Sequence, residues 1–308
     1  MKPFINYILL LFTVVCFGQD LDFTSKDLSI NKHVDGTLLT PNEINAPTLA
    51  IIIADAGPTD RNGNQNFQQN NAIKKLAEGL SNQKIATFRY DKRIVKQIRK
   101  GQVNPNISFD DFISDANAVI DYFKSQNKYS KIVIIGHGQG SLVGLVASKE
   151  NVNQYISLAG SGKSIDNVII DQITQMDPTL EKETKLAFES LKKGQLTKAY
   201  PQALGSIFSA DVQPFIMSWM QYNPQELIKN LEIPTLIVNG TKDLQVPVSE
   251  AELLKNSSSK SVYKIIENMN HVLFIIEGKE LENSKSYNES FRLISSDLIN
   301  ELVTFMKN

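Results

Sequence analysis

One short string in the 308-residue sequence holds the first candidate chemistry. Gly136-His-Gly-Gln-Gly140 follows the apolar run Ile132 to Ile135 and precedes a small-residue stretch, so a strand turns at once into a helix. Two devices use such a turn. G-x-G-x-x-G cradles a pyrophosphate on a helix N-terminus, whereas G-x-S-x-G presents a nucleophilic serine at a strained elbow. Gly136, Gly138 and Ser141 supply part of the first, but that fingerprint expects an acid about 20 residues on, at the end of the next strand. Here that strand ends Ser157-Leu-Ala-Gly160, without a carboxylate. Gly136 and Gly140 have the spacing of the second device, with Gly138 at its centre where the serine belongs.

The elbow reading expects an acid and then a histidine, each just after a later strand, and an oxyanion-hole loop after an earlier one. Asp243 follows the apolar Thr235-Leu-Ile-Val238, and His271 follows Val262-Tyr-Lys-Ile-Ile266. Asp55-Ala-Gly-Pro58 follows Leu49 to Ala54, and its backbone N–H groups can face a developing oxyanion. Of the three histidines, His33 falls among N-terminal strands and His137 within the elbow, so His271 alone occupies the place of a base. Glu232 precedes its strand and sits at the wrong end of the sheet to replace Asp243.

The elements that must position these groups read as repeated strand–helix units. Leu49 to Ala54, Ile85 to Tyr90, Lys131 to Ile135, Tyr155 to Ala159, Pro234 to Asn239 and Val262 to Ile266 are expected strands. Their near-continuous apolar character marks a mostly parallel sheet covered on both faces. Leu28 to Ile30 and Gly36 to Leu39 suggest one or two strands before them. Helices are expected over Phe67 to Leu80, Ser141 to Lys149 and Glu289 to Phe305. Another follows a capping box at Ser108 and Asp111, with Phe109, Phe112, Ile113, Ala116, Val119, Ile120 and Phe123 on one face. Residues 160–232 show helical segments and no convincing strand. They are expected to form a cap inserted between two core parts, 19–159 and 233–308. Phe215, Trp219 and Met220 crowd its end and suit an apolar pocket, or cap-to-core packing.

Composition is that of an ordinary soluble chain, 42% apolar and 21% charged, with a net charge of −1. That balance gives no electrostatic case for nucleic acid or an anionic membrane. Residues 1–18 read as a signal peptide. Lys2 opens it, Tyr7 to Phe17 is apolar apart from Thr13, and Cys16 and Gly18 are small residues at −3 and −1 of a cut before Gln19. The apolar run is too short to span a bilayer. Val15 is too bulky for a lipoprotein cut before Cys16. The mature chain is then exported, periplasmic or secreted, without a membrane span and without a thiol. One plausible active-site histidine and no cysteine are too few for a metal site, so neither metal nor cofactor is expected.

Taken together, the motifs resemble the α/β-hydrolase superfamily, and within it bacterial serine-esterase-like members. These carry a G-S-G-P-x-D-R-[DN]-G loop, an R-Y-D-K-R strand end, a G-H-S-x-G elbow and a terminal N-H. The corresponding strings here are Asp55-Ala-Gly-Pro-Thr-Asp-Arg-Asn-Gly63, Arg89-Tyr-Asp-Lys-Arg93, Gly136-His-Gly-Gln-Gly140 and Asn270-His271. The resemblance implies an α/β-hydrolase fold with a helical cap and a serine carboxylesterase mechanism on small or medium esters. Residue 138 would attack, His271 would carry the proton, and Asp243 would fix the imidazole. The N–H groups of Gln139 and Ala56 would hold the oxyanion.

Two departures break that pattern. Gly138 has no Oγ, so no acyl-enzyme forms there, and Ser141 lies about one helical turn too far on to replace it. Loss of a triad serine lowers kcat by on the order of 10⁶. The family's glycine becomes Asp55, whose carboxylate would oppose an oxyanion if it faced inward, or would otherwise meet solvent, Arg89 or Arg93. Three functions stay open at this point: an impaired esterase that binds an ester or acyl ligand, a hydrolase in which His271 activates water in the gap, and a non-catalytic interaction protein.

Overall fold

The computed structural model describes residues 22–149 and 152–308, so the expected signal segment lies outside the described residues. Two antiparallel strands, β1 (Phe23–Ser29) and β2 (Asp35–Pro41), precede β3 (Leu49–Ile53), α1 (Ala72–Asn82) and β4 (Ala86–Tyr90). Then come α2 (Arg93–Arg99), α3 (Phe109–Ser125), β5 (Ile132–His137), α4 (Gln139–Ala147) and β6 (Gln154–Leu158). Five helices follow without a strand: α5 (Ile165–Met176), α6 (Glu181–Lys192), α7 (Gly205–Phe208), α8 (Gln213–Trp219) and α9 (Pro224–Lys229). The chain closes with β7 (Thr235–Gly240), α10 (Val248–Ser257), β8 (Val262–Ile266), α11 (Glu280–Ser286) and α12 (Ser296–Lys307).

The strands form one sheet in the order β1-β2-β4-β3-β5-β6-β7-β8, parallel from β4 to β8. Alternation splits the side chains of each central strand between two cores. Leu49, Ile51, Ile53, Ile132 and Ile134 face α3 and α4, whereas Ala50, Ile52, Val133 and Ile135 face α1 and α12. Both faces are therefore dry, and the strands read as unbroken apolar runs. The α3 apolar face packs as its spacing implies, with all seven residues buried. Asp111 supplies one half of the capping box, accepting from the Ser108 N–H at 2.9 Å.

The segment between β6 and β7 has an apolar core of its own, built on Ile173, Phe188, Leu191, Phe208 and Ile216. Its α8 docks on α3, where Trp219 stacks on Phe109 at 5.4 Å and Phe215 meets Phe112 edge-on at 5.8 Å.

Two helix starts differ from the sequence reading by five residues or more. The first helix begins at Ala72 rather than Phe67, because Asn64 Oδ1 accepts from the N–H groups of Asn70 and Asn71 and ties that stretch into a loop. The last begins at Ser296 rather than Glu289. Residues 289–295 are held outside a helix by the Phe274–Ile294 bridge and by Ser295 N–H on the Leu273 carbonyl, and the Ser295 hydroxyl then caps Leu298.

Candidate active site

The elbow is a backbone device. Gly138 sits at φ 54°, ψ −119°, between the last residue of β5 and the first of α4. A Cβ on Gly136 would overlap the Gly140 carbonyl, and one on Gly140 would overlap the carbonyls of Ile53 and Ala54. The two flanking glycines thus let strand, helix and neighbouring strand touch through their main chains. Ser141 takes no part in the site: its Oγ lies between Tyr155 Oη and Ser157 Oγ, 2.8 Å from each, inside the core.

The three groups expected to converge on the elbow do so. Asp243 Oδ1 accepts from the N–H groups of Gln245 and Val246, at 2.8 Å each, which fixes the carboxylate in the turn after β7. Its Oδ2 lies 2.9 Å from His271 Nδ1. His271 is held by a tight turn after β8 in which Asn270 Oδ1 accepts from Phe274 N–H and Asn270 Nδ2 donates to Asn283 and Ser286. His137 Nε2–H donates to the His271 carbonyl at 2.8 Å, which settles its tautomer.

Asp55 faces inward and meets neither solvent alone nor Arg89 or Arg93. Arg93 is engaged with Asp115 and Asp111, and Arg89 with Asn62. Asp55 Oδ2 lies 3.0 Å from His271 Nε2, and Oδ1 accepts the Gln139 N–H at 2.7 Å. A Cβ built on Gly138 would overlap Oδ1 and Cγ of Asp55 and come within 2.9 Å of Oδ2. The carboxylate therefore fills the volume that a side chain on residue 138 would need and takes up the Gln139 N–H. His271 Nε2 therefore faces the Asp55 carboxylate rather than an empty, serine-sized gap.

Charge follows from this geometry. Burial alone would keep His271 neutral, but the carboxylates of Asp243 and Asp55 override it and push its pKa up to about 10. Burial would raise Asp55, but the hydrogen bond and charge of His271, with the Gln139 N–H, hold it well below the usual carboxylate range. His137 is lowered by burial and by the neighbouring His271 charge, so it stays neutral. His271 thus lies between two carboxylates, Asp243 on Nδ1 and Asp55 on Nε2.

Lys92, from the Arg89-Tyr-Asp-Lys-Arg93 string, completes the arrangement. Its Nζ donates to the Asp55 carbonyl at 2.9 Å and to Gln139 Oε1 at 2.5 Å, and it lies 4.6 Å from the Phe112 ring centroid. Burial lowers its pKa to about 8, although the Asp55 charge opposes the shift. Asp91 accepts from Arg61 N–H at 2.8 Å and from the Arg61 guanidinium at 2.9 Å. The string thus clamps the β3 loop to the elbow.

Asp55, Gly138 and His271 open on a cavity of about 190 Å³ whose apolar wall includes Leu142, Val168 and Trp219. A larger space of about 650 Å³ extends from Asp55 and His271 past Gln65 and Asn70. Ala56 borders both. Phe215 and Trp219 line a third recess of about 360 Å³ beside Ala56 and Lys92. Met220 packs instead against the core of the β6–β7 segment. The fold also brings candidate ligand atoms of Asp55, His137 and His271 within 4.8 Å of one another, a cluster that a histidine count alone did not suggest. Each of these side chains already has a hydrogen-bond partner.

A family model described as serine aminopeptidase, S33 (Hydrolase_4), matches residues 68–278. The chain belongs to this family. It is similar to Esterase EstD of Thermotoga maritima, 24% identical over 267 residues, which cover 83% of this chain and 62% of that protein. The chain therefore spans about three fifths of the length of the curated relative it matches. Among solved structures, Est1E of Butyrivibrio proteoclasticus with ferulic acid bound superposes with a TM-score of 0.57 at 16% identity, over 89% of this chain and 95% of its own. Dienelactone hydrolase from Anabaena variabilis gives 0.53 at 14% identity, over 92% and 96%. These likenesses show the α/β-hydrolase fold. Among the described residues, no helix is long and apolar enough to cross a membrane.

The sequence reading missed Lys92 as a brace and left Asp55 undecided. The available signal was joint: the two departures from the resembled motifs, at Asp55 and Gly138, fall on turns that face each other.

Proposed function

We propose that this protein is an exported, small-molecule hydrolase-fold protein in which the serine-esterase route is closed at Gly138 and His271 instead serves Asp55. Asp243 orients His271, and the N–H groups of Gln139 and Ala56 form the oxyanion side of the site. Phe215 and Trp219 border the space for the ligand's apolar part. The observation that carries this reading is the Asp55 carboxylate bridging the Gln139 N–H and His271 Nε2. An ester carbonyl and a serine Oγ would both need the volume it fills.

Turnover of p-nitrophenyl acetate and butyrate by three forms tests it. The natural chain and Gly138→Ser stay inactive, because the new side chain collides with Asp55. Asp55→Gly combined with Gly138→Ser empties the hole and gains turnover of at least about 10³-fold, with fluorophosphonate labelling of residue 138. Equal activity in the single and double variants would contradict the reading.

A further inference from the structure

We propose that Asp55 is a nucleophile toward saturated carbon, and that the remaining groups of the site are aimed at its own carboxyl carbon. The proposal rests on the reading above, that Asp55 stands where the serine would.

A serine ester is hydrolysed when its carbonyl oxygen sits in an N–H hole and a histidine faces its carbonyl carbon. Asp55 has that arrangement around Cγ. Oδ1 accepts the Gln139 N–H at 2.7 Å, at the N-terminus of α4, and Oδ2 faces His271 Nε2 at 3.0 Å. His271 is in turn held by Asp243 at 2.9 Å. Esterification of Oδ2 would therefore create, in place, the ester that this machinery is built to cleave.

The chemistry of a carboxylate selects the substrate class. Attack on an ester carbonyl gives a mixed anhydride, more reactive than the ester consumed. Attack on a saturated carbon gives an alkyl ester, a stable intermediate. The ligand is thus a small molecule with a leaving group on saturated carbon, an epoxide or a primary halide. The 190 Å³ cavity, with Leu142, Val168 and Trp219 on its wall, suits a short apolar chain.

The steps balance with water as the only co-reactant. A lone pair of Asp55 Oδ2 forms the O–C bond while the C–X bond breaks and X leaves with the bonding pair. An epoxide oxygen, on the side of the carbon away from Oδ2, takes its proton from water, a halide needs none, and in both cases His271 gives its Nε2 proton to solvent. The alkylated Asp55 is uncharged, so His271 is left beside one carboxylate instead of two and becomes the base. Water attacks Cγ, His271 takes its proton, and the oxyanion on Oδ1 rests on the Gln139 N–H. Collapse expels the alcohol with Oδ2, and His271 returns the proton. The sum is a halide R–X plus water giving R–OH and HX, or an epoxide plus water giving a vicinal diol, with one water oxygen left in Asp55.

The test uses 1,2-epoxybutane and 1-bromobutane. After a single turnover in H₂¹⁸O, the Asp55 peptide is expected to carry ¹⁸O and the first product none. His271→Gln is expected to accumulate a butyl or hydroxybutyl ester on Asp55, read by peptide mass, and Asp55→Ala to lose turnover by at least about 100-fold. Label found only in the alcohol would overturn the proposal. So would the absence of both turnover and adduct in protein that melts cooperatively. If that absence accompanies esterase activity in the Asp55→Gly, Gly138→Ser form, this proposal fails and the function reading stands. If both are absent, both fail.

Discussion

The turn after β5 and the turn after β3 face each other across the site and are fixed by opposite means. The elbow is held by main chain on main chain: Gly136 and Gly140 leave no room for a Cβ against neighbouring carbonyls. The β3 loop is held by side chains. Thr59 Oγ1 and Gln65 Nε2 donate to the Ala56 carbonyl, Lys92 to the Asp55 carbonyl, and Arg61 anchors to buried Asp91. A turn built from backbone contacts needs no side chain at its centre to hold its shape, as at Gly138. A loop held by side chains can carry a group of its own into the space over that turn, as it does with Asp55. The chemistry of the site is therefore a property of one volume between His271 and the Gln139 N–H, whichever strand supplies the group that fills it.

That contrast can be broken from the elbow side first. Gly140→Ala drives a Cβ into the Ile53 and Ala54 carbonyls and is expected to cost more than about 4 kcal/mol, read as loss of cooperative thermal unfolding. On the loop side, Asp91→Ala takes from Arg61 its buried partner, a carboxylate that is 3% exposed, for a loss of roughly 3 kcal/mol in denaturant titration with the fold retained. The point where the turns meet gives a smaller effect. Gly138→Ala sets a side chain at positive φ against Asp55, costing roughly 2 kcal/mol. Adding Asp55→Gly is expected to recover about 1 kcal/mol, a coupling that a double-mutant cycle measures.

The smallest effect depends on pH. The folded pKa of His271 lies above its ordinary 6.5, so its stabilisation is complete below that pH and is lost as pH rises toward about 10. Asp55 is held below its ordinary 3.8, so its stabilisation is present above that pH and is lost as pH falls through its folded pKa. The pair is then worth most between about pH 4 and 6.5. Asp55→Asn is expected to cost on the order of 1 kcal/mol near pH 5, with the difference from the natural chain shrinking toward pH 10.

Much of this was legible in the sequence. The central strands advertise themselves because both of their faces are dry, and Asp243 and His271 stand where strand ends put them. Helix starts were less legible where asparagines compete for the backbone, as Asn64 does before α1. Helix α11 was missed because Glu280 to Ser286 is a polar segment that buries Asn283 and Ser286 rather than an apolar stripe. The direction of Asp55 was not legible, since a carboxylate after a strand serves solvent, an arginine or a site equally well. Only the facing glycine, with a Cβ-sized space, decides among them.

The central claim, that the Asp55 carboxylate sits against His271 Nε2 in the serine's place, is tested most directly by the ring nitrogens of His271. In ¹⁵N-labelled protein at pH 8, long-range ¹H–¹⁵N NMR is expected to show both nitrogens protonated. The same resonances in Asp55→Asn are expected to move toward the neutral imidazole. A His271 that is already neutral at pH 8 in the natural chain, and unchanged by Asp55→Asn, would contradict it.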